Sequence, residues 1–220
     1  IAGVDTVMQA PVLTMQVSLQ GTMHVLEVAQ AMREAGHDVR RVVDFSTSEV
    51  FGKFAFNVAE TDATALGAVG EARWTYAVAK LATEHLCANY HKQFGLPTAS
   101  VRPFNIYGPR QVGTGAIHHF VRHALAGTPL VIHNDGAQIR SRCYIDDIIE
   151  GVVRIIDRPP SGHRIFNVGN SQPVHLLAFV RSLERALGRR ARHHFMPMQA
   201  GDVVATYADV EAFHEYTGFR

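Results

Sequence analysis

A tyrosine and a lysine, Tyr76 and Lys80, stand four residues apart in the segment Tyr76–Asn89, whose apolar residues recur at helical spacing. On a helix this spacing places both side chains on one face, about 6 Å apart along the axis. A lysine ammonium in that position stabilises tyrosinate, so a phenol whose pKa is ordinarily about 10 could accept a proton near neutral pH. A surface tyrosine beside a solvated lysine has the same spacing, so the pair needs support from other elements.

A hydroxyl-rich loop at the end of a short apolar strand gives that support. Residues 39–52, VRRVVDFSTSEVFG, contain the strand and then the loop residues Ser46, Thr47, Ser48 and Glu49. A strand-end serine or threonine, followed by tyrosine and lysine on the next helix, is the arrangement of the short-chain dehydrogenase/reductases. From about Gly21 to Phe219 the chain resembles their extended branch, which acts on nucleotide sugars, with further matches in VRPFNIYGPR, YIDDIIEGVVRIID and MQAGDVVATYAD.

The resemblance implies an NAD-dependent oxidation at C4 of a nucleotide sugar. Tyr76 would take the proton of the C4 hydroxyl and Thr47 would hydrogen-bond O4, giving a 4-keto intermediate. The expected cofactor contacts are Tyr76, Lys80 and Ser46, with Lys80 on the nicotinamide ribose. An ordinary turn closed by its own hydroxyl is the alternative interpretation of Thr47.

Glu49 bears on the choice of reaction. The loop reads Thr-Ser-Glu, as in the UDP-glucuronate decarboxylases, and Ser48 would contact the substrate. A 4-keto uronate is a β-keto acid that loses carbon dioxide readily once its carboxylate is desolvated, and a nearby fixed anion adds ground-state repulsion. The 4-epimerases usually carry a small hydroxyl or aliphatic residue at the glutamate position, whereas the 4,6-dehydratases have aspartate in place of Ser48. A solvated loop acid is the other interpretation of Glu49.

Four further polar residues are expected near the substrate: three resemble residues of a decarboxylase, and the fourth, Arg140, is the diphosphate contact usual in the wider family. Arg73, and Arg142 with Tyr144, resemble the decarboxylase domain of the bifunctional enzyme that builds aminoarabinose for lipid A. Arg142 would reprotonate the C5 carbanion or steer the carboxylate, and Arg140 would contact the diphosphate. A surface position is the alternative for each arginine.

The C-terminal third instead resembles UDP-glucuronate 4-epimerases. There Asp202 would contact the uridine ribose, while Asn105 would contact the sugar or the diphosphate. Because both groups of relatives use UDP-glucuronate, that UDP-sugar is the expected substrate. Decarboxylation to UDP-xylose or the 4-ketopentose is the expected reaction; 4-epimerisation, or another epimerase or 4,6-dehydratase reaction, is the alternative.

The predicted elements of the first half alternate between strands and helices. GVDTVMQA predicts a buried strand, the apolar spacing predicts one helix from Pro11 to Ala35 that Gly36 stops, and further strands are predicted at Val39–Phe45 and Thr98–Val101. This order indicates an α/β fold with a Rossmann-like, doubly wound parallel sheet whose active site lies at the carboxyl ends of the strands.

Beyond Asn105 the predicted elements form a smaller α/β region. They include a strand that enters a helix in RSRCYIDDIIEGVVRIID, an amphipathic helix that ends at Gly188, and a short last helix in YADVEAFHEYTGF. We expect residues 1–105 to be the remainder of the NAD-binding domain. Residues 106–220 are expected to bind mainly the UDP-sugar, with some segments returning to the first domain.

The N-terminal part of the expected sheet, with its G-x-x-G-x-x-G phosphate loop, is missing from the sequence. We expect that loop about sixty residues upstream in the full-length gene, where it would hold the pyrophosphate. Its true absence would favour a different class of function, a non-catalytic module that binds NAD or a nucleotide sugar.

Composition excludes other classes of function. With a net charge of +1 and 47% hydrophobic residues, the chain can bury a core and has no charge excess for nucleic acid. No apolar run approaches a membrane span, and the first residues lack the features of a signal peptide, so we expect a cytoplasmic protein. Cys87 and Cys143 are expected to be reduced thiols, and the thirteen histidines are not expected to bind metal.

A homodimer is expected because relatives pack two long helices, here Val12 to Ala35 and Tyr76 to Tyr90, into a four-helix bundle between subunits. Ordinary core packing of the same apolar residues is the alternative. The side chains expected at or near that seam are Met23, Leu26, Leu81 and Leu86.

Overall fold

The computed structural model describes residues 4–111, 115–158, 162–197 and 204–219. Its helices are α1 Val4–Gln9, α2 Pro11–Glu34, α3 Thr75–Phe94, α4 Ala116–Ala126, α5 Ile145–Asp157, α6 Leu176–Leu187 and α7 Glu211–Thr217. Its strands are β1 Val42–Phe45, β2 Phe56–Val58, β3 Thr98–Pro103, β4 Ile106–Tyr107, β5 Leu130–His133, β6 Ile139–Ser141, β7 Cys143–Tyr144, β8 His163–Val168, β9 Pro173–His175, β10 His193–Met196 and β11 Ala205–Ala208. Two 3₁₀ segments cover Ser48–Phe54 and Ala72–Trp74.

The central sheet is parallel and has the strand order β1-β3-β8. Successive side chains of a strand point to opposite faces, so Val42 packs against a cluster that includes Leu26 and Cys87, while Val43 packs against one that includes Ile148 and Phe213. Helices α2 and α3 therefore cover one face, and α5 and α7 cover the other. This is the doubly wound α/β arrangement that the sequence predicts.

The remaining strands form smaller sheets beside the central one. Strands β2, β11, β6 and β9 form one sheet, β4 pairs with β7, and β5 pairs with β10. Helices α4 and α6 pack on β5 through a separate apolar cluster, in which Leu130 and Ile132 are fully buried. These smaller sheets, with helices α4 and α6, form a second layer beside the polar strand ends of the central sheet.

Several predicted elements are confirmed. Helix α2 begins at Pro11 and Gly36 follows its end with φ +87°, and Gly188 follows α6 with φ +65°, as C-terminal glycines do. Strand β1 begins at Val42 rather than Val39, because pairing with β3 begins where Val42 lies opposite Thr98.

The predicted strand in GVDTVMQA is wrong, since residues 4–9 form α1. The apolar residues Val4, Val7 and Met8 fit helical spacing, although the same short apolar run also fits a buried strand. Val7 is buried, whereas Met8 is exposed. Helix α1 packs mainly against the 3₁₀ segment Ala72–Trp74 and against helix α2.

Core packing explains most of the residues expected at a subunit seam. Leu26 is fully buried between α2 and α3, which corrects its expected place on the surface. Leu81 and Leu86 are half-buried against core clusters, whereas Met23 is 40% exposed.

Both cysteines are free and buried, and burial raises the pKa of Cys87 to about 12 and that of Cys143 to about 11. In the described residues, no group of three histidine, cysteine, aspartate or glutamate side chains is placed to hold a metal ion. No helix among those residues combines the length and apolar character needed to cross a membrane.

Candidate active site

Strand β1 delivers the hydroxyl loop to the carboxyl edge of the central sheet. The Ser46 N–H donates to the Val101 carbonyl at 2.8 Å, which extends the pairing with β3 by one residue. Thr47 then caps the 3₁₀ segment, because its Oγ1 accepts a hydrogen bond from the Glu49 N–H at 3.3 Å. The turn interpretation of Thr47 is therefore confirmed, yet the hydroxyl hydrogen of this buried side chain is still able to donate to a ligand.

Tyr76 and Lys80 face a common groove, as their spacing on α3 predicts. The groove has a volume of about 360 Å³ and lies between α2, β1 and α3. Gly21 of α2 and Phe45 of β1 line its other walls. The predicted tyrosine and lysine are thus brought together with the end of β1.

Lys80 has a partner that the sequence interpretation missed. Its Nζ lies 3.4 Å from Oδ1 of Asp44, a β1 residue that is only 6% exposed. The other oxygen of Asp44 accepts a hydrogen bond from Thr83 Oγ1 at 3.0 Å. An acidic residue inside the apolar strand VVDF was the signal that could have revealed this pair.

The pKa of Tyr76 is raised above its ordinary value, opposite to the direction that Lys80 alone would give. Burial of the phenol is the main cause, and the carboxylates of Glu49 and Asp44 add to it. Both anions disfavour a tyrosinate beside them. Burial and these two carboxylates thus oppose the lowering of the Tyr76 pKa that Lys80 is expected to give, and that lowering stays a prediction.

Glu49 lies in an ion pair with Arg73. Arg73 Nη1 is 2.5 Å from Glu49 Oε2, and the two side chains are 24% and 33% exposed. The Arg73 guanidinium also lies 5.1 Å from the centre of the Trp74 ring. Glu49 is consequently neither an isolated anion nor a fully solvated acid, and the two residues that the sequence singled out separately act on each other. Ser48 lies in the same 3₁₀ segment and is half-buried.

Asn105 connects the central sheet to the second layer. Its backbone is left-handed, with φ +45°, and its Nδ2 donates to the Ser141 carbonyl at 2.8 Å and to Thr206 Oγ1 at 3.0 Å. Its amide hydrogens are used inside the protein. Only the side-chain oxygen is then left for the sugar or diphosphate contact predicted from the sequence.

The predicted arginines of the second layer form their own group. Arg140 Nη1 donates to the carbonyls of Ile139 and Val204, and the Arg142 guanidinium lies 4.5 Å from the centre of the Phe179 ring. Burial and the neighbouring Arg140 charge lower the pKa of Arg142 to about 10. Its Nη1 is buried and has no hydrogen-bond partner among the described residues. A buried guanidinium nitrogen that has no hydrogen-bond partner favours binding of an anion.

Tyr144 and Asp202 complete the predicted set. The Tyr144 ring meets the Tyr107 ring edge-on at 5.5 Å, across the pairing of β7 with β4. Asp202, the predicted uridine ribose contact, lies outside the described residues. The described candidate site therefore consists of one group of residues around Tyr76 and an arginine group around β6 and β7. Asn105 joins the two layers that carry them.

Comparison with known proteins identifies the family. The profile of the NAD dependent epimerase/dehydratase family matches residues 1–169. The chain belongs to this family. Membership confirms the resemblance inferred from the sequence, and it confirms NAD as the cofactor named in the family's description.

Epimerases and decarboxylases both occur among the relatives in this family. A probable UDP-glucuronate 4-epimerase of Rhizobium meliloti is 32% identical over 240 residues, covering 100% of this chain and 67% of the relative. A UDP-N-acetyl-alpha-D-glucosaminuronate decarboxylase of Bacillus cytotoxicus is 36% identical over 173 residues, covering 77% of this chain and 51% of the relative. The chain thus spans about two thirds or less of the length of these relatives.

A solved structure supports the epimerase/dehydratase fold. UDP-glucuronic acid 4-epimerase from Bacillus cereus, in complex with UDP-glucuronic acid and NAD, superposes with a TM-score of 0.81. It is 29% identical, and the match covers 92% of this chain and 62% of that one. The predicted Rossmann-like fold is confirmed.

The groove beside Tyr76 fits part of the family's cofactor. Lys80 presents an ammonium there that can hold ribose hydroxyls, and Ser46, next to the groove residue Phe45, has a buried Oγ with no partner among the described residues. An unpartnered buried hydroxyl is a group that a ligand can satisfy.

Proposed function

We propose that this chain carries the oxidation site of an NAD-dependent enzyme that acts on C4 of a nucleotide sugar. The observation that carries the proposal is the common groove of Tyr76 and Lys80 at the end of β1, beside the Thr47 loop. NAD supplies a hydride acceptor when it is bound. Tyr76 takes the proton of the C4 hydroxyl, and the Thr47 hydroxyl donates a hydrogen bond to O4 as charge develops.

The proposed substrate is UDP-glucuronate. Its diphosphate and carboxylate are anions that suit Arg140 and Arg142, and the unpartnered Nη1 of Arg142 favours this assignment. The substrate named for the Rhizobium meliloti and Bacillus cereus relatives supports it as well. Asp202 as the uridine ribose contact stays a prediction.

We propose decarboxylation of the 4-keto intermediate as the outcome, because Glu49 places a fixed carboxylate in the Tyr76 site. Glu49 contributes to the raised pKa of Tyr76, so its charge acts at that phenol. A substrate carboxylate near Glu49 loses favourable solvation, and loss of carbon dioxide removes the repulsion. The product is UDP-xylose or the corresponding 4-ketopentose, a lyase reaction.

A second candidate is 4-epimerisation of UDP-glucuronate. The Arg73 guanidinium offsets the Glu49 charge at 2.5 Å, which weakens the repulsion on which decarboxylation depends. The epimerase relatives also match over nearly the whole chain. In this reaction the 4-keto sugar turns and receives hydride on its other face.

One experiment separates these functions. The full-length protein is incubated with NAD and UDP-glucuronate, carbon dioxide is trapped, and the sugar nucleotides are identified by NMR. We expect carbon dioxide with a UDP-pentose or UDP-4-ketopentose product. UDP-galacturonate without carbon dioxide would establish the epimerase instead, and binding without NADH or product would establish a non-catalytic module.

We also propose that the protein is a cytoplasmic homodimer that pairs through α2 and α3. Val12 and Met23 of α2 and Val78 of α3 are large apolar side chains that are 69%, 40% and 41% exposed. Burying such side chains in a helix bundle is favourable. Light scattering of the full-length protein at micromolar concentration should give the mass of a dimer; a monomer would contradict this assembly.

A further inference from the structure

Asp44 is an acidic side chain in the wall of the catalytic groove. It lies in the buried strand β1, is 6% exposed, and lines the same groove as Tyr76 and Lys80. Burying a carboxylate is costly unless charge and hydrogen bonds compensate it. Here the compensation comes from Lys80 Nζ at 3.4 Å and Thr83 Oγ1 at 3.0 Å.

The contact between Asp44 and Lys80 determines where the positive charge of Lys80 lies relative to the Tyr76 phenol. Tyr76 and Lys80 leave the same face of α3, but the ammonium lies against Asp44 on the neighbouring strand. Thr83, one turn further along α3, shares its hydroxyl hydrogen between the second oxygen of Asp44 at 3.0 Å and the Lys80 carbonyl at 2.8 Å, so Lys80 is the charged partner of this carboxylate. Burial raises the pKa of Asp44 and the Lys80 charge opposes that rise, so the ammonium stabilises the carboxylate beside it.

We propose that Asp44 is a positioning residue that holds the Lys80 ammonium and thereby sets the pH at which Tyr76 becomes a base. This role rests on the proposed function of Tyr76 as the proton acceptor. It assigns to Asp44 a part in the reaction without contact with the substrate.

The charged neighbours of these groups are few. The pKa of Tyr76 is influenced by Glu49 from the 3₁₀ segment and by Asp44 from β1, and Lys80 of its own helix lines the same groove. Asp44 is influenced in addition by Glu84 of α3, and its own charge acts on the Cys87 thiol, which is neutral at physiological pH. The described α2 residues that line the groove are Val17, Ser18, Gly21, Thr22 and Val25, and none of them is ionisable.

The sign of the effect follows from these charges. The Asp44 anion disfavours tyrosinate directly, and it also draws the ammonium away from the phenol. Removing the anion should therefore lower the pKa of Tyr76, by about one unit for a charge that lines the same groove. The base form of Tyr76 would then be populated at lower pH, and the rate below that pKa would rise up to about tenfold.

The test compares Asp44→Asn, which removes the charge and keeps the shape, with Asp44→Glu, which keeps the charge. Asp44→Ser is the second neutral variant, in case Asn beside Lys80 does not fold. The full-length proteins carry tyrosine labelled with carbon-13 at the phenol carbon, and Tyr76→Phe assigns the signal of Tyr76. NMR titration then gives the pKa of Tyr76 without any substrate, and the pH profile of NADH formation from UDP-glucuronate gives its kinetic counterpart.

We expect the Tyr76 signal of Asp44→Asn or Asp44→Ser to titrate about one unit below that of the unmodified protein and of Asp44→Glu. The acid limb of NADH formation should move by the same amount. An unchanged titration of Tyr76 in a folded neutral variant would overturn the role of Asp44. A shifted titration in a protein that forms neither NADH nor a new sugar nucleotide from UDP-glucuronate would uphold the contact with Tyr76 while refuting the proposed function.

Discussion

Replacing Glu49 and Arg73 one at a time should change carbon dioxide release in opposite directions. Glu49→Gln removes the anion that destabilises the substrate carboxylate, and Arg73→Gln removes the cation that offsets this anion at 2.5 Å. Both changes keep the size of the side chain approximately constant. If charge at this loop drives decarboxylation, the first variant is slower and the second is faster than the unmodified enzyme.

The magnitude is worked out for a substrate carboxylate about 5 Å from Glu49, with Arg73 behind Glu49 at the ion-pair distance of 2.5 Å. With an effective dielectric of about 20, a unit charge about 5 Å from the substrate carboxylate contributes roughly 3.3 kcal/mol, and one about 2.5 Å further away contributes roughly 2.2 kcal/mol. Because Arg73 and Glu49 are 24% and 33% exposed, solvent screening reduces these interactions, and we halve both values. Glu49→Gln should therefore slow carbon dioxide release about twentyfold, and Arg73→Gln should accelerate it about sixfold.

The assay is single-turnover release of carbon dioxide from UDP-glucuronate with a labelled carboxylate, alongside NADH formation, which reports C4 oxidation. Ground-state repulsion acts on bound substrate, so Glu49→Gln should lower KM together with kcat, and Arg73→Gln should raise both. Glu71→Gln is the matched control, since Glu71 is a nearby carboxylate that hydrogen-bonds Trp74 Nε1 at 2.9 Å. It should leave carbon dioxide release unchanged.

The refuting result is a loss of carbon dioxide release of similar size in both variants. That outcome would mean that Glu49 and Arg73 act as one structural pair, or that Arg73 itself binds the substrate. Formation of UDP-galacturonate by the unmodified enzyme would instead favour the epimerase reaction and would contradict the decarboxylation on which this prediction rests.

Three further predictions concern Tyr76 and two buried polar pairs. Tyr76→Phe should lower turnover about a hundredfold or more while UDP affinity, measured by calorimetry, stays nearly unchanged, and retained turnover would remove Tyr76 from the mechanism. Arg102→Met should reduce the free energy of unfolding in urea by about 3–5 kcal/mol, because it strands the Glu84 carboxylate, which is bound at 2.9 and 2.7 Å and is 3% exposed. Adding Glu84→Leu should recover much of that loss, and an equal loss in the double variant would contradict the argument. Burial lowers the pKa of His163, whose Nδ1 contacts Thr98 Oγ1 at 2.9 Å and whose Nε2 has no partner among the described residues. The stability from neutral His163 is present above about pH 6.5 and is lost as the pH falls through the lower folded-state pKa, so the urea midpoint should drop at acidic pH more than in His163→Gln.

Local sequence determined the elements that carry the chemistry. The spacing of Tyr76 and Lys80, and the hydroxyls that follow a short apolar strand, are properties of neighbouring residues. Helical period and strand ends therefore sufficed to place them on α3 and after β1. The same holds for the glycine that follows α6, because a left-handed residue after a helix is a local requirement.

Short apolar runs and apolar faces were less informative. The segment GVDTVMQA fits the pattern of a strand and that of a helix equally well. The tertiary structure shows a helix, which packs against the 3₁₀ segment Ala72–Trp74. The apolar character of Leu26 is likewise compatible with contact with a partner subunit and with burial in the core of its own chain. Only the contact between α2 and α3 placed it inside.

Tertiary structure alone decided which charges meet. Glu49 and Arg73 are twenty-four residues apart, and Lys80 and Asp44 are thirty-six apart. No local pattern predicts such pairs, because electrostatic interaction depends on distance in space and on burial, not on separation along the chain. The sequence thus identified the phenol, the ammonium and the loop acid. The folded chain placed the ammonium against Asp44 and paired the acid with Arg73, and its burial of the phenol is the main cause of the raised Tyr76 pKa.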